Sequence, residues 1–417
     1  MIVAEAEVSV AVLVTMDSKS EEALFVCNTL IQLGVKPWLV DLSLRPHNIT
    51  GADITGGDLV KICGYSWEKL DKMDRNQATE AMVSAGIIAL KEKYLSGNIG
   101  GVIGLGGANG TSMACSLMRS LPPLVPKVMV SAVAATAAVQ WYIAESDIVM
   151  FPSIGDFTLN RITRGVLQNA ATALAAMTCA RDNPTEHAED EPLLIGVSSF
   201  GGTSGCVDVV TNGLISEGYE VIHFHASGPG GKALESLAQK GELAGVVDIT
   251  THELTDYLVD GVYSAGENRL KAASAAGLPQ VIVPGAIDHS NFWVNMVPEK
   301  FSDREFFQYN AQNILMRTNA LEYKKLGKLM AERLNHAEKN FVVVVPLRGF
   351  SEHTKRNTHD LGGNIIGSWD RHDDDMVFLE TLKKNLKRGE VEELDLHIND
   401  PAFANACLKS FMQLIKK

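Results

Sequence analysis

Three glycine-rich turns constrain the fold of this chain more than any other feature, because each separates an apolar, strand-like run from a run of helical periodicity. The first is Gly106-Gly107-Ala108-Asn109-Gly110-Thr111-Ser112, after Gly101-Val102-Ile103-Gly104-Leu105. The second, Gly201-Gly202-Thr203-Ser204-Gly205, follows Leu193-Leu194-Ile195-Gly196-Val197. The third, Ser227-Gly228-Pro229-Gly230-Gly231-Lys232, follows Val221-Ile222-His223-Phe224-His225. Glycine lets the backbone approach an anion closely, and the first N–H groups of the following helix lack intrahelical partners, so they can point at a phosphate or carboxylate. A nucleotide or another small anionic metabolite is therefore the expected ligand, with Gly106, Gly107, Asn109, Gly110, Thr111, Gly201, Gly230 and Gly231 among its expected contacts.

None of the turns is a complete fingerprint. A P-loop needs glycine where Ala226 stands and Ser or Thr after Lys232, where the chain has Ala233. The dinucleotide pattern GxGxxG, laid on Gly104, ends on Asn109 and finds no strand-end acid about twenty residues later, which argues against a dehydrogenase.

With 417 residues, 46% hydrophobic and 21% charged, the chain is long enough for two cores of ordinary size. No apolar run approaches the ~20 residues of a membrane span, and the N-terminus lacks the basic and apolar regions of a signal peptide. Six cysteines without CxxC spacing indicate neither a disulfide scaffold nor a zinc ribbon, so reduced thiols in a cytoplasm are expected. A net charge of −13 without basic runs argues against nucleic acid as a general partner. It does not exclude ATP, because charges beyond about 8 Å are screened and local cations such as Lys127, Arg161, Arg164, Lys232 and Arg348 decide binding.

Strand-like and helix-like segments alternate from residue 8 onward, beginning with a βαβ pattern over 8–41. The acidic, proline-framed stretch 181–192 reads as a linker between an N-terminal domain, 1–183, and a C-terminal domain, 192–417. The fold class expected is α/β, two Rossmann-like doubly wound domains with mainly parallel sheets, whose ligands sit beyond the carboxyl ends of the strands. In the second half those ends carry Asp248 to Glu253, Asp288 with His289, and Arg348. Near the C-terminus His397 precedes Asp400-Pro401, a pairing expected to cap a helix.

Taken together, Met16-Asp17-Ser18-Lys19, the first glycine turn, Pro126-Lys127-Val128-Met129-Val130-Ser131, Leu159-Asn160-Arg161-Ile162, Phe224-His225-Ala226, Pro284-Gly285-Ala286-Ile287-Asp288, Met316-Arg317-Thr318 and His397-Ile398-Asn399-Asp400-Pro401 carry a resemblance over almost the whole chain. It resembles the bacterial and plant family of ATP-binding proteins that includes the inhibitory domain of the tomato mosaic virus resistance protein. The resemblance implies two Rossmann-like domains, ATP with Mg2+, a homodimer, and nucleotide contacts at Asp17, Lys19 and Ser131 beside the first turn. Ending at Lys417, the chain is expected to be the stand-alone form, to which the viral activity does not transfer.

Departures from the family pattern lie mainly in the N-terminal half. Ser18 and Ser20 replace the usual Thr and Gly, Asn109 replaces a glycine, and Ser131-Ala132 replaces a Ser-Thr pair, removing one hydroxyl. Asn109 is expected to keep the turn by tolerating a left-handed backbone.

Three functions fit these residues. The first is an enzyme acting on a small anionic metabolite in an interdomain cleft, with Glu253 as general base, Asp288, Arg348 and His397 as further catalytic residues, and Asp17, Asp248 or Asp288 on magnesium. The second is a nucleotide-dependent regulatory or protein-binding module. The third is a metal-dependent hydrolase using His223, His225, His252, Glu253, Asp288, His289 and His397. Glu253 has a competing structural role as a helix cap, and Ser198, Ser227 and Cys206 lack the GxSxG elbow of a covalent nucleophile.

Overall fold

The computed structural model describes residues 9–156, 158–180, 191–337 and 340–416. The chain divides into two compact units, Met1–Glu189 and Asp190–Lys417. Most of the proposed linker, 181–190, lies outside the described residues.

The N-terminal unit runs β1 (Ser9–Val14), α1 (Met16–Gln32), β2 (Lys36–Asp41), α2 (Gly56–Ile62), α3 (Trp67–Asp71), α4 (Arg75–Leu95), β3 (Gly101–Gly106), α5 (Ala108–Arg119), β4 (Lys127–Ser131), α6 (Val139–Ile143), β5 (Val149–Pro152) and α7 (Arg161–Ala180). Its strands form one parallel sheet in the order β2-β1-β3-β4-β5. Successive side chains of a strand point to opposite faces. Thus Val10, Val12 and Val14 pack under α1 and α7 with Val26, Leu30, Leu167 and Leu174. Ala11 and Leu13 face the other way, toward Met82, Met113 and Leu117 of α4 and α5. Helices on both faces explain why these strands read as continuous apolar runs without alternation.

The chain leaves β1 for β2 on one side and crosses back for β3 on the other. A crevice therefore opens between the β1 and β3 loops, the topological switch point where doubly wound sheets bind ligands.

The C-terminal unit contributes β6 (Leu194–Ser199), α8 (Ser204–Ser216), β7 (Glu220–His225), α9 (Pro229–Lys240), β8 (Gly245–Thr250), α10 (Glu253–Val259), α11 (Ala272–Ala275), β9 (Gln280–Gly285), β10 (His289–Trp293), β11 (Phe306–Gln308), β12 (Asn313–Arg317), α12 (Ala320–Leu334), β13 (Phe341–Pro346), β14 (Asn357–His359), β15 (Ile365–Ser368), α13 (His372–Asn385), β16 (Glu390–Leu394) and α14 (Pro401–Ile415). A six-stranded parallel sheet has the order β16-β13-β9-β8-β6-β7, which places the switch point between β6 and β8. Its two faces bury Val197, Val247 and Val283 against Val210 of α8 and Phe403 and Phe411 of α14, and Ile282 and Val343 against Leu326 of α12 and Leu382 of α13.

The α/β class with parallel sheets is as expected from the sequence. A second sheet is not foreseen there: β10-β12-β11-β14-β15 is antiparallel, with Phe292, Phe306 and Met316 on its buried side. Two of its strands have only three residues, too few to establish a period of two in the sequence. Of the helical periodicity readable in the sequence over 269–276, only Ala272–Ala275 forms a helix, because Arg269 is drawn inward by charge. Asp400 caps α14 as expected, its Oδ1 accepting from the Ala402 amide at 2.9 Å with Pro401 at the first helical position.

Candidate functional site

The switch point of the N-terminal sheet holds a cavity of about 680 Å³, lined from the β1 loop by Thr15, Asp17, Ser18 and Lys19, from the β2 exit by Arg45, from α3 and α4 by Asp71 and Arg75, and from α5 by Gly107, Ala108, Asn109 and Gly110. The helix begins earlier than the sequence suggests, so Asn109, Gly110 and Thr111 form its first turn. Asn109 has no positive φ, and the left-handed backbone expected there is not needed. Gly106 has a different task. A Cβ on it would lie 2.6 Å from the Gly110 carbonyl carbon and from the Thr111 nitrogen, so only glycine lets strand and helix meet this closely.

No side chain among the described residues caps α5; Gly107 is its N-cap. Its first amides and the positive end of its dipole therefore face the cavity, beside Lys19, Arg45 and Arg75. Across the cavity, Lys19 has φ −140° and ψ 32°, a break inside the first turn of α1 that sets the course of the β1 loop.

Asp41, buried at the end of β2, organises this wall. Its Oδ1 accepts from the Met16 amide at 3.1 Å, the Ser43 amide at 2.9 Å and the Ser43 hydroxyl at 2.5 Å, while Oδ2 takes the Gly56 amide at 3.2 Å and lies 2.9 Å from His47 Nε2. Ser43 in turn accepts from the Asp17 amide at 3.0 Å. Sequence reasoning missed Asp41, Arg45 and Arg75. The acid closing the second strand of a βαβ unit was a usable signal for the first, and the carboxyl-edge rule for Arg45.

Some expected contacts lie elsewhere. Thr111 and Ser131 are buried and share a 2.6 Å hydrogen bond; the Thr111 hydroxyl also reaches the Gly106 carbonyl at 3.2 Å. They brace the turn from behind and do not line the cavity. Lys127 is buried too, donating to Asp147 at 2.8 Å and to the Pro122 and Val125 carbonyls.

In the C-terminal unit the corresponding amides are already occupied. Glu253 Oε1 accepts from the Gly228 amide at 2.7 Å and the Gly231 amide at 3.1 Å, filling the N-terminus of α9 with a carboxylate of the same chain. Glu253 does cap a helix, but not its own. A Cβ on Gly231 would collide with this carboxylate, and Gly230 is pressed against the His225 carbonyl, so both glycines serve the internal cap. Likewise Asn399 accepts from the Cys206 amide in the first turn of α8 and donates to the Gly202 carbonyl, next to Gly201.

Buried Arg269 ties the cluster together. It donates to Asp248 at 2.5 and 2.7 Å, to Glu253 at 2.6 Å and to Glu235 at 3.3 Å. Burial opposes its charge, but the Asp248 and Glu253 carboxylates outweigh it and hold the guanidinium protonated. Burial also raises the Glu253 carboxyl above the ordinary range, against the pull of Arg269. Asp248, expected as a metal ligand, additionally accepts from Ser198 at 2.7 Å, so both of its oxygens have protein partners.

Of the four expected catalytic residues, Asp288 and His397 both bond Ser351, whereas Glu253 belongs to the Arg269 cluster. Arg348 and Asp395 pair at the exposed surface. His397 Nε2 lies 2.9 Å from the Ser351 carbonyl while Nδ1 accepts from the Asn399 amide at 3.1 Å, so both nitrogens shape the loop that caps α8. Asp288 is buried, its Oδ2 accepting from Ser351 and from Trp369 Nε1, each at 2.7 Å. Among the described residues no group of three or more His, Cys, Asp or Glu is arranged to hold a metal ion. Nor is any helix among them long and apolar enough to cross a membrane.

Fold and site define a two-unit α/β protein of doubly wound sheets with an open, cation-lined crevice in its N-terminal unit. The chain belongs to the uncharacterised protein family UPF0261, whose N-terminal domain matches residues 8–183 and whose C-terminal domain matches residues 192–415. It is 35% identical to a UPF0261 protein of Clostridium tetani, over 98% of this chain and 99% of that one. Over 77% of this chain it is 39% identical to the tomato (Solanum lycopersicum) ToMV resistance protein Tm-1(GCR237), of whose length the match spans 42%. Among solved structures, a UDP-GlcNAc 2-epimerase from Methanocaldococcus jannaschii aligns with 89% of this chain and 99% of its own at 9% identity and a TM-score of 0.23, a likeness too slight to carry an argument about ligand.

Proposed function

We propose that this protein binds ATP in the N-terminal crevice, with the phosphates on the first turn of α5 and a magnesium ion shared between phosphate oxygens and the Asp17 carboxylate. The observation that carries this reading is the convergence, at a switch point, of uncapped helix amides with Lys19, Arg45 and Arg75 around about 680 Å³. That volume suits a nucleotide. Magnesium keeps several waters and asks for only one or two carboxylates, which Asp17 supplies without a dedicated cage. The family resemblance to ATP-binding proteins supports the same ligand.

The nucleotide-dependent binding module is favoured over the enzyme by one observation. Glu253 and Asp248 are locked onto Arg269, and Arg348 onto Asp395, so the expected general base and clamp are engaged in structure.

A Gly107→Val substitution tests the reading. A Cβ there meets nothing within 4 Å, so valine fits the fold while its methyl groups enter the crevice beside the phosphate position. Titration calorimetry with Mg-ATP should show at least a tenfold loss of affinity, about 1.4 kcal/mol, with the free protein still folded and its melting temperature lowered only by the few degrees that replacing an N-cap glycine costs. Absence of any Mg-ATP binding by the unsubstituted protein, or equal affinity in both, would falsify the assignment.

A further inference from the structure

The switch point of the C-terminal sheet presents imidazoles that the nucleotide reading does not use. His252, which follows β8, is fully buried, and neither Nδ1 nor Nε2 has a hydrogen-bond partner. His289 opens β10; its Nδ1 lies 3.0 Å from Asp288 Oδ1, and its Nε2 is likewise without a partner. His353, after β13, adds an unpartnered Nδ1, and Asn291 beside them an unpartnered Oδ1. The ring centroids of His252 and His289 are 5.7 Å apart and those of His289 and His353 5.4 Å, so these are parts of one cluster. Phe200, which follows β6 and is only partly buried, lies 4.2 Å from His252 and forms the outer wall.

Buried polar atoms in native proteins almost always find partners. Several unmet ones gathered at the carboxyl edge of a doubly wound sheet, between the loops of β6 and β8, mark a ligand position. Their orientation is built, since Asp288, anchored by Ser351 and Trp369, accepts from His289 Nδ1 and fixes the ring.

The available charges define the ligand. Arg269 is saturated by Asp248, Glu253 and Glu235, and Arg317 by Asp375, Tyr323 and backbone carbonyls, so neither buried guanidinium remains for an anion, and Arg356, the other cation acting on His353, is exposed and lies over the Phe307 ring. Burial, reinforced by neighbouring His289, depresses the basicity of both His252 and His353 and keeps them uncharged at neutral pH. A neutral imidazole with both nitrogens free presents one donor and one acceptor. An ammonium answers only the acceptor and a carboxylate only the donor, whereas a hydroxyl answers either, in either tautomer. The aromatic wall suits the apolar face of a ring.

We propose that this buried cluster is a second ligand site, which takes a small uncharged ring compound carrying several hydroxyls, such as a cyclic polyol or sugar, hydrogen-bonded to His252, His289 and His353 beside the partly exposed Phe200. The proposal is independent of nucleotide binding in the N-terminal unit.

Nitrogen-15 NMR of histidine side chains in the full-length protein tests it, with myo-inositol and D-glucose as hydroxylated probes and acetate, tetramethylammonium and zinc ion as contrasting arms. At least one hydroxylated probe should shift the His252 and His289 ring nitrogens saturably. The shift should vanish from His289 in His252→Phe, which keeps a planar ring against Phe200, and weaken at least fivefold in Phe200→Ala, a change at a partly exposed position. Gly107→Val should leave it intact while weakening the ATP response at least tenfold, which separates failure of one site from failure of the other. No saturable shift with either hydroxylated probe overturns the proposal, as does a response confined to acetate, tetramethylammonium or zinc.

Discussion

The two switch points of this molecule are built on the same strand plan and end up chemically opposite. In the N-terminal unit the α5 amides open onto a cavity with Lys19, Arg45 and Arg75. In the C-terminal unit Glu253 and Asn399 occupy the amides of α9 and α8, and the guanidinium at the crevice is enclosed by three carboxylates. A glycine turn before a helix therefore supplies an anion site only when the rest of the chain leaves it alone. The same local motif is a ligand cradle in one unit and an internal joint in the other.

Four measurements sharpen or break this contrast. The largest effect is expected at Arg269, because Arg269→Met leaves Asp248, Glu253 and Glu235 buried without their counter-charge. A loss of about 3–5 kcal/mol is expected in urea unfolding, and a small effect would mean the carboxylates have another partner. Glu253→Gln should come next. It keeps the shape but weakens the bonds to Arg269 and the α9 amides, lowering stability by about 1–3 kcal/mol while Mg-ATP affinity stays unchanged. A change in ATP affinity would place the nucleotide at the third turn after all.

Acid should act mainly on the C-terminal unit. Burial lowers His353 from the ordinary 6.5 to about 4 and His252 well below 6.5, so across that window the unfolded chain binds more protons than the folded one. The stability they contribute is present above about pH 6.5 and is lost as pH falls toward 4, at up to about 1.4 kcal/mol per pH unit for each proton. Asp256 opposes this trend. Burial raises it to about 7, so the stability it contributes is complete below its unfolded value of 3.8 and is lost as pH rises through 7. Unfolding between pH 4 and 6.5 should therefore flatten in His353→Phe and steepen in Asp256→Asn. The smallest effect is a gain: His252→Phe removes two unmet buried nitrogens and should stabilise the free protein by about 1 kcal/mol, read as a higher urea midpoint. A loss would mean that those nitrogens have partners in solution.

Much of the fold was legible because it rests on short-range periodicity. The apolar runs at β1, β3, β4, β6, β8 and β9, the helix cap at Asp400 and the tight turn at Gly106 all follow from residues within a few positions of one another. The antiparallel sheet was not legible, since the three-residue strands β11 and β14 carry too few side chains to show a period. For the N-terminal crevice, Asp17, Lys19, Gly107, Asn109 and Gly110 were named from sequence and do line one cavity, while Arg45 reaches it from the loop after β2 and Arg75 from the first turn of α4, which tertiary packing alone brings to the cavity.

The sequence by itself determined that this chain folds as two α/β units with glycine turns at strand ends, because backbone geometry and apolar periodicity are local properties. Only the tertiary structure decided which turn stays open. Glu253 reaches the α9 amides from 25 and 22 residues away and Asn399 reaches α8 from 193 residues away, so partner choice for charges and hydrogen bonds depends on where distant segments converge.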